Sequence, residues 1–197
     1  MIVIEILLWI GMIGLVLAAI VTAIVATTAK QPLLGVIGVL PIGIWTLVLA
    51  FGAHPVPPAP ALWSLLAIGF AVLGVVGGSP LTVLVLRRTA PDVSAPGAHG
   101  GIMVAEQGES GTKLPTREVL RGGSTIGFLE RVAIVGAVAI GHVEIIAALI
   151  AIKGLGRFSE LDSAAARERF IIGTLVSMIW AGLCAALILL TPATFIP

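Results

Sequence analysis

A glutamate and an arginine side by side, Glu130 and Arg131, open an apolar stretch that carries charge through its middle: His142 and Glu144 follow, then Lys153. Carboxylate, imidazole and ammonium groups in apolar surroundings can relay protons, pair as ions or line a path for a charged solute. Each is expensive there without a partner. At ~100° per residue, positions eleven apart nearly eclipse on a helix. Arg131, His142 and Lys153 therefore share one stripe of a continuous helix, and Glu130 and Glu144 share another. His142 and Glu144, two apart, point to opposite sides of such a helix and cannot pair. On this reading Arg131 and Lys153 reach the headgroups from the helix ends, and Glu130 suits the positive end of the helix dipole. Glu144 is left looking for a donor. Thr22, Thr46, Ser64, Ser79, Thr82, Thr174 and Ser177 are the polar groups that the apolar segments offer.

The elements that must position these groups are membrane helices. The chain is 58% hydrophobic and 11% charged, against about 25% charged residues in a soluble domain, and its mean hydropathy is +1.17. Five segments are long and apolar enough to span: Ile2–Thr27, Leu33–Ala53, Ala61–Leu86, Ile126–Lys153 and Phe170–Leu190. Strand alternation is absent, and in lipid only helices or closed barrels satisfy their backbone. The expected fold is all-α: a polytopic helical membrane protein of about five spans that closes on a helical hairpin of the fourth and fifth.

The organisation follows the composition. Residues 1–88 form a three-helix part, with a retained first span and a proline, Pro41, kinking the second. Residues 89–121 are a linker rich in Gly, Pro and Ser, with a helical turn expected at Arg117–Leu120. Residues 122–197 carry the charged stretch and the hairpin. Ridges of small residues should bring helices together: Ala67, Ala71, Gly74 and Gly78 on the third span, Ala133, Ala137 and Gly141 on the fourth, Gly173, Ser177, Ala181 and Ala185 on the fifth. Lys153, Arg157 and Glu160, spaced by four and three, are expected on one charged face where the fourth helix leaves the membrane.

A net charge of +1 gives no reason to expect nucleic acid as a partner. His54, His99 and His142 are scattered and Cys184 is alone in an apolar run, so neither a metal site nor a disulfide is expected. The glycines make no phosphate loop, and no Ser–His–acid arrangement is evident. No cofactor is implied. Five spans would put the linker and the C-terminus on the cytoplasmic side with the N-terminus outside, by seven basic residues against four.

The C-terminal part also resembles a family of bacterial inner-membrane proteins of unknown function. The resemblance rests on Ile126, Gly127, Leu129, Glu130 and Arg131, then Gly141, Ala151 and Lys153, then Arg157, Phe158, Glu160 and Leu161, and finally Ile172, Gly173, Thr174, Leu175 and Ser177. Gly154 stands where that family usually has serine, and its His/Asp-bearing N-terminal stretch is not found here. The resemblance implies a multi-pass protein of the bacterial cytoplasmic membrane and draws attention to Glu130, Arg131, Lys153, Arg157 and Glu160. The functions to weigh are a component that moves a small solute or ion, an accessory subunit with a membrane-protein partner or a second copy of itself, and an intramembrane enzyme using Glu144 and His142 as acid–base groups.

Overall fold

The computed structural model of the chain describes residues 2–52, 56–89, 102–104, 117–119, 122–157 and 164–191. The described helices are α1 (Ile2–Thr28), a 3-10 segment (Pro32–Gly38) running into α2 (Val39–Ala50), α3 (Pro60–Val76), α4 (Gly78–Thr89), α5 (Gly123–Ala139), α6 (Glu144–Arg157) and α7 (Ala164–Leu190). Among the described residues, three helical stretches are long and apolar enough to cross a membrane: Val3–Thr28, Pro32–Ala50 and Ala166–Leu190. The pair α3 and α4, bent by 41°, makes a fourth if it is counted as one span. Large aliphatic side chains such as Ile4, Leu7, Leu17 and Leu47 stay on the outside, an exterior that suits hydrocarbon and not water.

Three tryptophans tie one end of the bundle. Trp9 of α1 packs edge-on against Trp45 of α2, centroids 5.5 Å apart. Trp45 donates its indole N–H to the Thr191 hydroxyl just beyond α7, and Trp63 near the start of α3 donates to the Thr191 carbonyl. The start of α1, the end of α2, the start of α3 and the end of α7 thus share this end. The five-span reading had separated the start of the first helix from the end of the last; the structure brings them together. Trp9, Phe70, Leu73, Trp180 and Cys184 belong to one buried cluster, so the N-terminal and C-terminal parts pack as one body. Cys184 is fully buried, as its apolar run implied.

Pro41 lies in the first turn of α2 and is buried. There its missing N–H has no helical acceptor to lose, and the irregularity expected around it takes the form of the preceding 3-10 turns. The Gly74–Gly78 ridge works within the chain: a methyl at Gly74 would lie 3.0 Å from Cys184 Cβ, and one at Gly78 would lie 2.7 Å from the Arg131 side chain.

The largest departure from expectation is the fourth span. The apolar run Ile126–Lys153 is two helices. Gly141 takes a left-handed backbone, φ +76°, and the His142 N–H returns to the Ala137 carbonyl at 2.8 Å, a glycine-dependent helix stop. A straight helix would hold residues 130 and 153 some 34 Å apart, yet their side chains touch, so α6 folds back along α5. Ile134, Val135 and Val138 of α5 pack with Ala181 and Ala185 of α7, while Arg131 reaches Ser177, so α5 runs in the same direction as α7. The expected two-helix hairpin is therefore three helices, with the reversal inside the old fourth span. The α7 ridge meets α5 through Ser177, Ala181 and Ala185, whereas Gly141 lies at the turn with nothing within 4 Å of its Cβ position and Gly173 faces Thr82 and Leu86 of α4. Gly141→Ala should cost about 1–2 kcal/mol through its left-handed backbone, read as a lower unfolding midpoint in detergent. Gly173→Ala, where the added methyl makes ordinary contact, should leave that midpoint near wild type.

Within the linker, β1 (Ile102–Val104) and β2 (Arg117–Val119) pair antiparallel. Arg117–Val119 is thus a strand where a helical turn was expected.

Candidate functional site

The charged centre lies where the third span breaks. The stretch Gly77–Gly78–Ser79–Pro80 interrupts it: Gly77 caps α3, and Pro80 in the first turn of α4 cannot supply a backbone donor to continue the ladder. The break frees carbonyls of α3 that a continuous helix would use. Arg131 of α5 takes part in covering it, donating Nε–H to the Val75 carbonyl at 2.5 Å. Trp180 of α7 braces the same place, its indole N–H adding a second hydrogen bond, at 3.0 Å, to the Leu73 carbonyl that already accepts the Gly77 N–H. Gly77 and Gly78 are required here by space: a methyl on the first would sit 2.6 Å from the Trp180 ring and on the second 2.7 Å from Arg131 Cδ.

Arg131 is 3% exposed. Its Nη1 donates to the Ser177 hydroxyl at 2.9 Å and its Nη2 to the Ser79 hydroxyl at 2.8 Å. One guanidinium therefore joins α3, α4 and α7 through three neutral acceptors. Ser177 is the fourteenth of the 27 residues of α7, so the guanidinium sits at mid-depth of the bundle and does not reach a surface, contrary to the snorkelling expected for it.

Beside it, Glu130 is 5% exposed and accepts a hydrogen bond from Lys153 Nζ at 2.5 Å. The Lys153 ammonium also stands 5.5 Å from the centre of the Phe170 ring, a favourable cation–π position. Glu130 lies in the middle of α5, not at a helix start, so the pairing with α6 replaces the dipole role expected of it. This ion pair fastens the far end of α6 to α5, while Ile146 and Leu149 pack along the way.

His142 and Glu144 are elsewhere. They sit at the α5–α6 turn, and because the helix is interrupted there they do pair: the ring Nδ1 and Glu144 Oε1 are 2.6 Å apart, with side chains 60% and 69% exposed. Neither group is buried, and both lie at the turn, away from Arg131. Arg157 ends α6, but its side chain and Glu160 lie outside what the structure describes; of the expected patch of Lys153, Arg157 and Glu160 the structure describes Lys153, which donates to Glu130. Among the described residues no group of three or more metal-ligating side chains converges.

Of the seven charged residues singled out in the sequence, the structure brings together Glu130, Arg131 and Lys153. Ser79 and Ser177, read as possible partners of Glu144, are partners of Arg131. The Val75 carbonyl and Gly77 belong to the site without any sequence expectation attached to them, Gly78 stood only in a packing ridge, and Gly127 only among the residues of the resemblance. Gly-Gly-Ser-Pro inside an apolar run was the available signal, since such clusters punctuate helices. Comparison with protein-family models, with curated proteins and with solved structures gives no match to this chain.

Proposed function

We propose that the protein is a multi-pass protein of the bacterial cytoplasmic membrane that moves a small solute or ion, with the helix break around Gly77 and the buried Arg131 as its working centre. The observation that carries this reading is a permanent cation at mid-depth beside a discontinuous helix. Interrupted helices whose freed backbone groups meet a charge near the midplane are a recurring arrangement in transporters, and an ionisable group at that depth is costly enough to need a reason. The residues that carry the family resemblance support it: Glu130, Arg131, Lys153 and Ser177 lie at or beside this centre.

The membrane arrangement that accompanies this reading has six crossings, formed by α1, the 3-10 segment with α2, the bent α3–α4 pair, α5, α6 and α7. Helices α5 and α6, about 26 and 21 Å long, are shorter than a ~30 Å hydrocarbon core and cross as a thinned pair. Lys30, Arg87, Arg88, Arg167 and Arg169 then stand at the end opposite the tryptophans. The connection that contains Lys113, Arg117 and Arg121 leaves and re-enters at that same end, and α6 returns toward it with Arg157. The described residues of the tryptophan end include no lysine or arginine. This one-sided distribution favours a cytoplasmic basic end and an external tryptophan end.

The test is conduction by purified protein in planar bilayers under a potassium chloride gradient. Wild type should conduct and Arg131→Gln should conduct at least tenfold less. Silent bilayers, together with a second membrane protein retained through purification in mild detergent, would turn the reading toward an accessory subunit.

A further inference from the structure

We infer that the basic end of the bundle holds the headgroup of an anionic phospholipid, seated where the last turn of α4 meets the first turns of α7. The inference goes beyond the transport reading and does not depend on it. Depth comes first. Ser79 of α4 and Ser177 of α7 meet on the Arg131 guanidinium at mid-depth. From that level Arg87 and Arg88 lie eight and nine residues further along α4, and Arg169 lies eight residues back along α7. At ~1.5 Å per residue, the three backbones stand about 12–14 Å from the midplane, just inside the edge of a ~30 Å hydrocarbon core. Their long stems then carry the charged heads into the phosphate layer. Two helices running in opposite directions thus bring three guanidiniums to one level.

The three also share a place within that level. A methyl on Gly173 would lie 3.4 Å from Thr82 and 3.5 Å from Leu86, so these residues mark the seam between α7 and α4. Arg169 is one turn before Gly173 and stands on the same side of α7, while Arg87 and Arg88 follow Leu86 directly. Arg87 and Arg88 are exposed and Arg169 is half-buried. Among the described residues none of the three has an ion-pair or hydrogen-bond partner. Glu168 is the one carboxylate among the described side chains of this end, against Lys30, Arg87, Arg88, Arg167 and Arg169. The partial negative charge at the C-terminus of α4, about half a unit, offsets little of that excess.

The chemistry selects the occupant. A guanidinium grips two oxygens of a phosphodiester at once, whereas an ammonium acts as a point charge. Surplus positive charge at a membrane surface favours a headgroup with a net negative charge. A zwitterionic headgroup brings an ammonium of its own, which the arginines repel. An acidic protein would have to enter the headgroup layer to reach Arg169, where a lipid phosphate already stands.

The experiment is thermal unfolding of the full chain in dodecyl maltoside micelles doped with phosphatidylglycerol or phosphatidylcholine at constant ionic strength. Phosphatidylglycerol should raise the melting temperature saturably, by a few degrees, and phosphatidylcholine by less than half as much. Inorganic phosphate in place of lipid should leave it unchanged. Arg169→Gln and the double variant Arg87→Gln/Arg88→Gln should keep the melting temperature in phosphatidylcholine within about 2 °C and lose at least half of the phosphatidylglycerol rise. Arg169→Lys should lose part of the rise, since the charge remains and the fork does not. Lys30→Gln, beyond α1 at the same end, should retain the rise in full. An equal rise with both lipids, or a rise with inorganic phosphate, would overturn the inference. Equal losses in Lys30→Gln and Arg169→Gln would also overturn it, because they would show diffuse surface charge in place of a seat between α4 and α7. Conducting or silent bilayers bear on the transport reading alone.

Discussion

Arg131→Leu should destabilise the protein by about 3 kcal/mol, among the largest effects of any single substitution in the bundle. The guanidinium makes three hydrogen bonds at once, to the Val75 carbonyl and to the hydroxyls of Ser79 and Ser177. Interhelical hydrogen bonds in membranes contribute roughly 0.6 kcal/mol each, and bonds from charged donors in proteins roughly 1.5–3, so about 1 kcal/mol per bond is a moderate value. Leucine also leaves the Val75 carbonyl unanswered beside a broken helix. Arg131→Lys should rescue little, because one ammonium cannot reproduce a planar fork reaching three acceptors on three helices. The measurement is the unfolding midpoint in mixed micelles on titration with a denaturing detergent. A loss below about 1 kcal/mol for both variants would mean that the three bonds do not hold the break closed.

The second large effect is at the ion pair. Lys153→Met should cost about 3 kcal/mol, since it leaves the Glu130 carboxylate buried without its cation, a change typically worth ~3–5 kcal/mol. Glu130→Leu should cost less, about 2 kcal/mol, because the lysine stem can carry its ammonium toward the headgroups. The double variant Glu130→Leu/Lys153→Met should recover most of the loss, as buried pairs replaced by apolar residues often do. Additive losses in the double variant would show that the two side chains act separately and that α6 is held to α5 by other contacts.

What could be read from the sequence, and what could not, divides along physical lines. Hydropathy marks where chain is buried in lipid, and it located Ile2–Thr28, Pro32–Ala50 and Ala164–Leu190 to within a few residues at most of their ends. It says little about where an apolar run turns. Ile140, Gly141, His142 and Val143 sit in an unbroken apolar stretch, and the reversal depends on one glycine adopting a positive φ. A glycine followed at once by a polar residue, Gly141–His142, is the visible hint, and the helical phase of the flanking residues masks it. The same holds at Gly77–Pro80, where four-residue spacing marks Gly74 and Gly78 as a packing ridge while Gly-Ser-Pro carries the turn chemistry that breaks the helix.

The candidate site was legible as a set of residue types and not as a geometry. Burying an unpartnered charge is costly, so charges in an apolar chain had to find partners. That argument selected Glu130, Arg131 and Lys153 together with His142 and Glu144. Which of them meet depends on the reversal at Gly141: a straight helix separates Glu130 from Lys153 and sets His142 against Glu144, and the reversal inverts both relations. The proposed orientation in the membrane differs from the five-span expectation for the same reason. An odd number of crossings split the basic residues seven to four, whereas an added reversal brings Arg167 and Arg169 to the end that holds Arg87 and Arg88.

That reversal is the claim on which the rest depends, and labelling at the turn tests it most directly. His142→Cys, in a background where the buried Cys184 is replaced by alanine, is treated in intact cells with a membrane-impermeant maleimide, with Gly52→Cys and Thr89→Cys as markers of the two bundle ends. The account predicts that His142→Cys is labelled from outside together with Gly52→Cys, while Thr89→Cys is protected. A cysteine at 142 that stays unlabelled when Gly52→Cys reacts, in intact and in permeabilised cells alike, would place it mid-bilayer on a continuous helix and contradict the account.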